Sequence, residues 1–420
     1  MSTLGAALLA AITLAAPARA ATISPPGVRF PQIAVNAGGT TIVAWERLVH
    51  GRFAIEARAG AGPRQLGPVR RLAARGFQPR VAVGADGTRA VQWLEEEAGG
   101  IRTIRVAVAR PGRGFGRGQV LYRIGKNVSP VGVVVQPDGR VVAVWHPKSA
   151  WLAYALAPRD RRFGHPRSLG RTGPVSTDEI ALDPRDGAVV LAYGTPLAAS
   201  PPANQQAAAR TLAMTSTAFS APVVLSDPTG LSESHPAVVT GSGGTGVTWS
   251  QTGATPAVAS LRLARRRADG TWSSPEIVTN AVYGEGVFAV DPHATLPVDG
   301  SALATWSIAT DPYGRGAISK RTAWSIALPS AAFAAPATIT PADEIYGSLA
   351  VASAGADAFL ATAKAHGPVI LAKRSAGSAV LGPPRLLTAD GDGDVLLAAA
   401  GSHVLAAWQQ GDRMRILTVH

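Results

Sequence analysis

Residues 128–148 read VSPVGVVVQPDGRVVAVWHPK: an apolar run, the tripeptide Pro137-Asp138-Gly139, and a second apolar run that ends on Trp145. Proline presets φ at one turn position and glycine supplies positive φ at another. The stretch therefore predicts two short antiparallel strands joined by a tight turn. The same phrase recurs along the chain. Aligned on the end of the second run, it gives TIVAW at Trp45, RAVQW at Trp93, VVAVW at Trp145, VVLAY at Tyr193, TGVTW at Trp249, ALATW at Trp306, AFLAT at Thr362 and VLAAW at Trp408. Successive copies are 46 to 57 residues apart, and a self-similar period of this length marks a repeat architecture.

Each unit reads as four strands. In the third, VGVVVQ and VVAVWH flank the turn, WLAYALAP makes a third strand and PRSLG a fourth. Ahead of the fourth strand an aromatic and a proline recur three apart: Phe163 and Pro166, Phe219 and Pro222, Trp272 and Pro275, Phe333 and Pro336. Proline donates nothing to a ladder, so it fits the start of an outer strand. The mostly apolar runs suit strands covered on both faces. The expectation is an all-β chain, a single β-propeller of eight four-stranded blades, with seven blades plus an irregular unit as the alternative, since the copies at Tyr193 and Thr362 depart from the pattern. The last copy supplies only three strands, and ISPPGVRF near the N-terminus is a candidate for the fourth. The repeated aromatic is expected to pack between blades.

The first twenty residues, MSTLGAALLAAITLAAPARA, have an apolar stretch from Leu4 to Ala16 and then Ala18-Arg19-Ala20. They read as a secretory signal peptide cleaved before Ala21, with residues 21–420 as the propeller domain and a secreted, extracellular location. An uncleaved anchor is the alternative. No later stretch approaches the ~20 apolar residues of a membrane span. Cysteine is absent, which excludes disulfides, thiolate metal sites and a cysteine nucleophile. The net charge of +13 is uneven: residues 21–173 hold 24 Lys and Arg against 8 Asp and Glu, while residues 174–420 hold 15 against 19. The basic part is a candidate surface for polyanions. A GC-rich composition, with 35 Arg to 5 Lys, is the alternative cause. Arg110, Arg113 and Arg117, with Arg159, Arg161 and Arg162, fall on comparable turns of neighbouring units and are expected to share one rim.

The P-x-V-A-V…D-G…V-V-A-W hairpin followed by R…F-x-x-P resembles secreted bacterial β-propeller repeat proteins loosely grouped with the sialidase/BNR-like superfamily, over essentially all of residues 21–420. That superfamily's Ser-x-Asp-x-Gly-x-Thr-Trp turn is matched in part by Asp269, Gly270, Thr271 and Trp272, and its Arg-Ile-Pro signature only by VRFP around Arg29. The other arginines of its carboxylate clamp and its nucleophile pair have no counterpart, so the resemblance carries over no catalytic residue.

The sequence lacks a G-x-S-x-G elbow, a P-loop and H-E-x-x-H. GRGFGRG, from Gly112 to Gly118, has the composition of a phosphate cradle but stands where a flexible basic turn is expected. Asp390, Asp392 and Asp394 alternate as in calcium loops, yet Val395 stands where such a loop needs glycine. A Ca²⁺ site there competes with a solvated acidic linker, and no other metal or cofactor is expected. Propeller links at the channel mouth usually carry function. Here they hold Glu95, Glu96, Glu97, Asp178, Glu179, Glu233, Tyr283, Glu285, Asp311, Tyr313, Arg315, Asp343, Glu344 and Tyr346. The expected ligand-binding residues are Glu285, Asp311, Tyr313, Arg315, Asp343 and Glu344 at the mouth and Arg113, Arg117, Arg161 and Arg162 on the rim. The preferred reading is a secreted, non-catalytic monomeric propeller whose partner is an extracellular glycan, an anionic envelope polymer or a protein, not nucleic acid. The alternative is a sialidase-like glycoside hydrolase or a lyase, which would need two converging carboxylates in the acidic mouth.

Overall fold

A computed structural model describes residues 20–124, 128–148, 150–172, 178–196, 205–226, 236–252, 259–280, 287–310, 319–339 and 346–419. They form eight antiparallel four-stranded sheets. The phrase that opens the sequence reading is the inner hairpin of the third: Ser129–Val135 pairs with Val141–His146, which pairs in turn with Trp151–Ala157 and then Arg167–Arg171. Gly139 takes φ 82° in its turn, where any side chain would also strike the Asp86 carboxylate. The Arg140 N–H donates to the Asp138 carboxylate at 2.9 Å and closes the turn. Pro166, Pro222, Pro275 and Pro336 each directly precede the outermost strand of a blade.

The first strands of the blades are Val28–Val35, Gly76–Val83, Ser129–Val135, Glu179–Leu182, Ala237–Gly241, Val287–Thr295, Tyr346–Ala354 and Val395–Ala400. Each lies against the first strand of the next blade, and the eighth lies against the first. The ring is thus an eight-bladed β-propeller with these strands around its axis. The units at Tyr193 and Thr362 are complete blades. Turns between strands one and two and between strands three and four share one face, called the turn face below. The links between blades and the loops between strands two and three share the other, the link face. Among the described residues the only helix is a single 3₁₀ turn, Ala98–Gly100. No helix there is long and apolar enough to cross a membrane.

The eighth blade takes three strands from the end of the chain and its outermost from the beginning. Ala21–Thr22 pairs with Arg413–Thr418, Ala21 opposite Ile416 and Thr22 opposite Arg415. This strand stands just ahead of ISPPGVRF, not within it. Pro25 and Pro26 have no N–H to give a ladder, so ISPPG is the link into the first blade and VRF begins that blade's inner strand. The link is held on both sides. Arg58 donates to the Ile23 carbonyl at 3.0 Å, and Ser24 Oγ accepts the Met414 N–H at 2.8 Å.

The described core consists of eight apolar clusters, each spanning two neighbouring blades. The repeated aromatic sets them. Trp45, Trp93, Trp145, Tyr193, Trp249, Trp306 and Trp408 each pack back onto the preceding blade and are buried. Thr362 is the exception. It meets blade six through a 3.0 Å hydrogen bond between its hydroxyl and that of Thr322, and the apolar cluster at this seam is the smallest of the eight. Truncating a buried indole removes its transfer free energy and leaves a cavity, so Trp145→Ala should destabilise the chain by about 3–5 kcal/mol. Thr362→Val should cost less, because only the hydrogen bonds of its hydroxyl to Thr322 and to the Ser348 carbonyl are lost. Chemical denaturation of the two variants beside the wild type checks the order. Deleting residues 394–420 bares the facing sides of blades one and seven, and differential scanning should show a lower, broader transition; an unchanged one would contradict ring closure.

Candidate functional site at the channel mouth

One position of the inner strand recurs in every blade, opposite the residue that precedes the repeated aromatic in all blades but the seventh, where the aromatic's place is taken by Thr362. It is occupied by Gln32, Arg80, Gly132, Glu179, Ala237, His293, Ala350 and Leu396, paired with Ala44, Gln92, Val144, Ala192, Thr248, Thr305, Ala361 and Ala407. Side chains at this position face the following blade. Leu396 packs onto the cluster of blade one, and Glu179 Oε2 accepts the Val238 N–H of blade five at 3.0 Å. Arg80 Nε donates to the Val131 carbonyl of blade three at 3.3 Å.

Gly132 decides what Arg80 meets next. A β-carbon there would lie 2.3 Å from Ile180 Cγ2, so the close approach of blades three and four admits only glycine. Blade three therefore presents no side chain at this level, and Arg80 is coupled electrostatically to Glu179, two blades on. Burial raises the Glu179 carboxyl to about 7, against the opposing pull of the Val238 N–H and Arg80. Burial also lowers the Arg80 guanidinium, with Glu179 working against it. Both side chains keep partial exposure, as do Ile180, Ala181 and Leu182 beside them. Water thus reaches this part of the channel wall.

The neighbouring carboxylates are committed elsewhere. The Asp178 side chain is fully buried and its Oδ2 lies 2.8 Å from His146 Nε2, while His146 Nδ1 lies 2.9 Å from the Trp151 carbonyl. That carbonyl can only accept, so Nδ1 is the donor of that pair. Glu46 Oε1 accepts the Gln78 N–H at 2.6 Å, and burial raises its carboxyl despite this bond and Arg29. Glu95 and Glu97 are ion-paired to Arg105, and Glu97 also to Arg123 at 2.7 Å.

Glu285, Asp311, Tyr313, Arg315, Asp343 and Glu344 lie outside the described residues, as do Glu233, Tyr283 and the Tyr346 side chain. Arg113, Arg117, Arg161 and Arg162 are exposed, and Arg117 lies near enough to Glu95 to pull on its carboxyl. Of the expected carboxylates, Glu179 is described and faces Arg80, whose terminal amino groups meet no acceptor among the described residues. Arg80 was missed; its signal was a lone charge in PRVAV, an inner strand otherwise built for burial. Asp390 accepts from Gln410 at 2.8 Å and Asp392 lies 2.8 Å from His366. Burial raises the Asp394 carboxyl. Among the described residues no three His, Asp or Glu side chains converge to hold a metal ion. In GRGFGRG, a β-carbon on Gly118 would fall 2.3 Å from the Trp93 ring, so that glycine serves packing.

No family model and no curated protein matches the sequence. Among solved structures, the polysaccharide lyase Uly1 superposes with a TM-score of 0.53 at 6% identity, over 81% of this chain and 90% of that one. An ulvan lyase of polysaccharide lyase family PL25, bound to -[GlcA(1-4)Rha3S]-, gives 0.49 at 11% identity over 96% of both chains. The propeller domain of the Trilobed protease from Pyrococcus furiosus gives 0.47 at 10%, over 87% of this chain and 99% of that one. At such identities the likeness is one of fold, and the fold shared with Uly1 is the β-propeller.

Proposed function

We propose that the protein is a secreted propeller that binds, without cleaving, an anionic extracellular polymer, a polysaccharide by preference, on the turn face of its second and third blades. The observation that carries this is a group of five exposed arginines on two adjoining turns: Arg113 and Arg117 on one, Arg159, Arg161 and Arg162 on the other. The turns touch. Arg110 of blade two donates to the Gly139 carbonyl at 2.6 Å and to the Pro158 carbonyl at 3.2 Å, both in blade three. Among the described residues, the side chains of Arg113, Arg117, Arg161 and Arg162 form no hydrogen bond or ion pair, and Arg159 meets only Asp160, at 3.9 Å. A guanidinium is protonated at every physiological pH and presents a planar fork of donors to carboxylate or sulfate. The cluster is therefore equipped to hold anions and not to exchange protons with them. The fold shared with a polysaccharide lyase supports a glycan as the polymer, and the apolar leader ending in Ala18-Arg19-Ala20 supports export.

Arg110 differs from the other five because it joins the two blades, so the test leaves it intact. The chain should be retained on immobilised heparin and elute as salt shortens the Debye length from about 8 Å at physiological ionic strength. Replacing Arg113, Arg117, Arg159, Arg161 and Arg162 with serine should move elution to clearly lower salt with the melting temperature nearly unchanged, as expected of exposed positions. Elution of both proteins at one salt concentration would refute the assignment.

A further inference from the structure

On the channel wall, the two terminal amino groups of Arg80 are left without an acceptor among the described residues. We infer that this place is a second binding site, for the carboxylate of a small ligand, in which the Arg80 guanidinium grips the carboxylate and Glu179 hydrogen-bonds beside it. The site is independent of the turn-face arginines. Arg80 spends its Nε on the Val131 carbonyl, and its two terminal amino groups find no acceptor among the described residues. They are not sealed in the way that Arg374 Nη2 is. Those two groups form the edge that binds carboxylates in a bidentate fashion. The main chain has already fixed the guanidinium on one side, so little freedom is lost when a ligand docks on the other.

The surroundings leave the role open to a ligand. On blade three the facing residue is Gly132, and on blade five it is the Val238 main chain, already bonded to Glu179 Oε2. On blade one the equivalent residue is the neutral Gln32, which donates to the Pro31 carbonyl at 2.9 Å. Asp178 turns away from the channel toward His146. His293 occupies the position on blade six and has an interaction of its own. Glu179 Oε1 is the remaining polar atom, and no hydrogen bond within the described residues engages it.

The protonation state of Glu179 sets the charge of the site. Below about 7 its carboxyl is neutral and can donate to a bound carboxylate, and Arg80 leaves the pair with one net positive charge. Above about 7 the ionised carboxylate neutralises Arg80 and repels an anion. Affinity should therefore fall as pH rises, by about tenfold from pH 6 to pH 8 if the ionised form binds weakly. At pH 8, binding should also draw a proton from the buffer.

Calorimetry with galacturonate, acetate and glucose as probes, at pH 6 and pH 8 in two buffers of different ionisation enthalpy, tests this. The wild type should bind galacturonate at pH 6 and not glucose, weaken about tenfold at pH 8 and take up a proton there. Glu179→Gln should bind equally at both pH values without proton uptake, and Arg80→Gln should lose binding but keep its retention on heparin. Acetate binding as well as galacturonate would mark a site for the carboxylate alone, and tighter galacturonate one that also reads the sugar ring. Failure of the wild type to bind either carboxylate at pH 6, or an affinity that ignores pH, would overturn the inference. So would undiminished binding by a folded Arg80→Gln. If that variant does not fold, the pH profile of Glu179→Gln decides. The fivefold rim variant should bind galacturonate normally, so failure of one site is distinguishable from failure of the other.

Discussion

Every blade of this protein has two apolar faces and can bury neither by itself, so the structure rests on contact between neighbours. The repeated tryptophan is the device. An indole at the end of the second strand fills the space against the preceding sheet, and seven of the eight seams are filled by a buried aromatic at this place. A ring of such seams has no weak terminus only if it closes. Closure comes from two residues at the start of the chain, Ala21 and Thr22, paired beside Arg413–Thr418.

Polar contacts on the turn face reinforce the ring, and most are made by arginine. Arg140 of blade three reaches the Ala213 and Met214 carbonyls of blade four at 2.9 and 2.7 Å. Arg266 of blade five binds Asp183 and Asp186 of blade four, each at 2.8 Å. Burial alone would raise the Asp183 carboxyl, but hydrogen bonds from Arg185 and Arg266 outweigh it and hold the group below its ordinary range. Arg374 spans blades seven and six through Asp299 at 3.0 Å. A guanidinium offers five donors in a plane, so one side chain can satisfy several carbonyls left open at the ends of neighbouring hairpins. Part of the arginine excess is therefore structural, and Arg113, Arg117, Arg159, Arg161 and Arg162 stand out because no hydrogen bond among the described residues ties them to a neighbouring blade.

The two proposed sites use the same chemistry in different settings. On the rim, full hydration makes each arginine weakly attractive, and retention depends on several acting together within the screening length. At the mouth, one arginine is partly withdrawn from water beside a carboxyl of raised affinity for protons, so a single contact carries more weight and becomes sensitive to pH. The mouth site depends on a residue that is not there: a side chain at position 132 would strike Ile180, and glycine leaves the level of Arg80 and Glu179 unobstructed.

The sequence by itself determined the blade and the packing role of the aromatic, because each is written within one repeat, and it favoured eight blades over seven. Two apolar runs around Pro-Asp-Gly specify a hairpin, a period near fifty specifies the repeat, and an aromatic at one phase of that period specifies a seam. Which charged groups meet was decided only by the tertiary structure. Glu95 and Glu97 look like mouth carboxylates in the sequence, yet Arg105 on the adjacent strand takes them. Asp178 finds His146 in the preceding blade, Asp183 finds Arg266 in the next, and Glu179 faces Arg80 from two blades away. The physical reason is that these partners lie on other strands or in other blades, up to about two repeats away along the chain. Side-chain period along a strand fixes which face a residue occupies but not how far its neighbours reach around the ring.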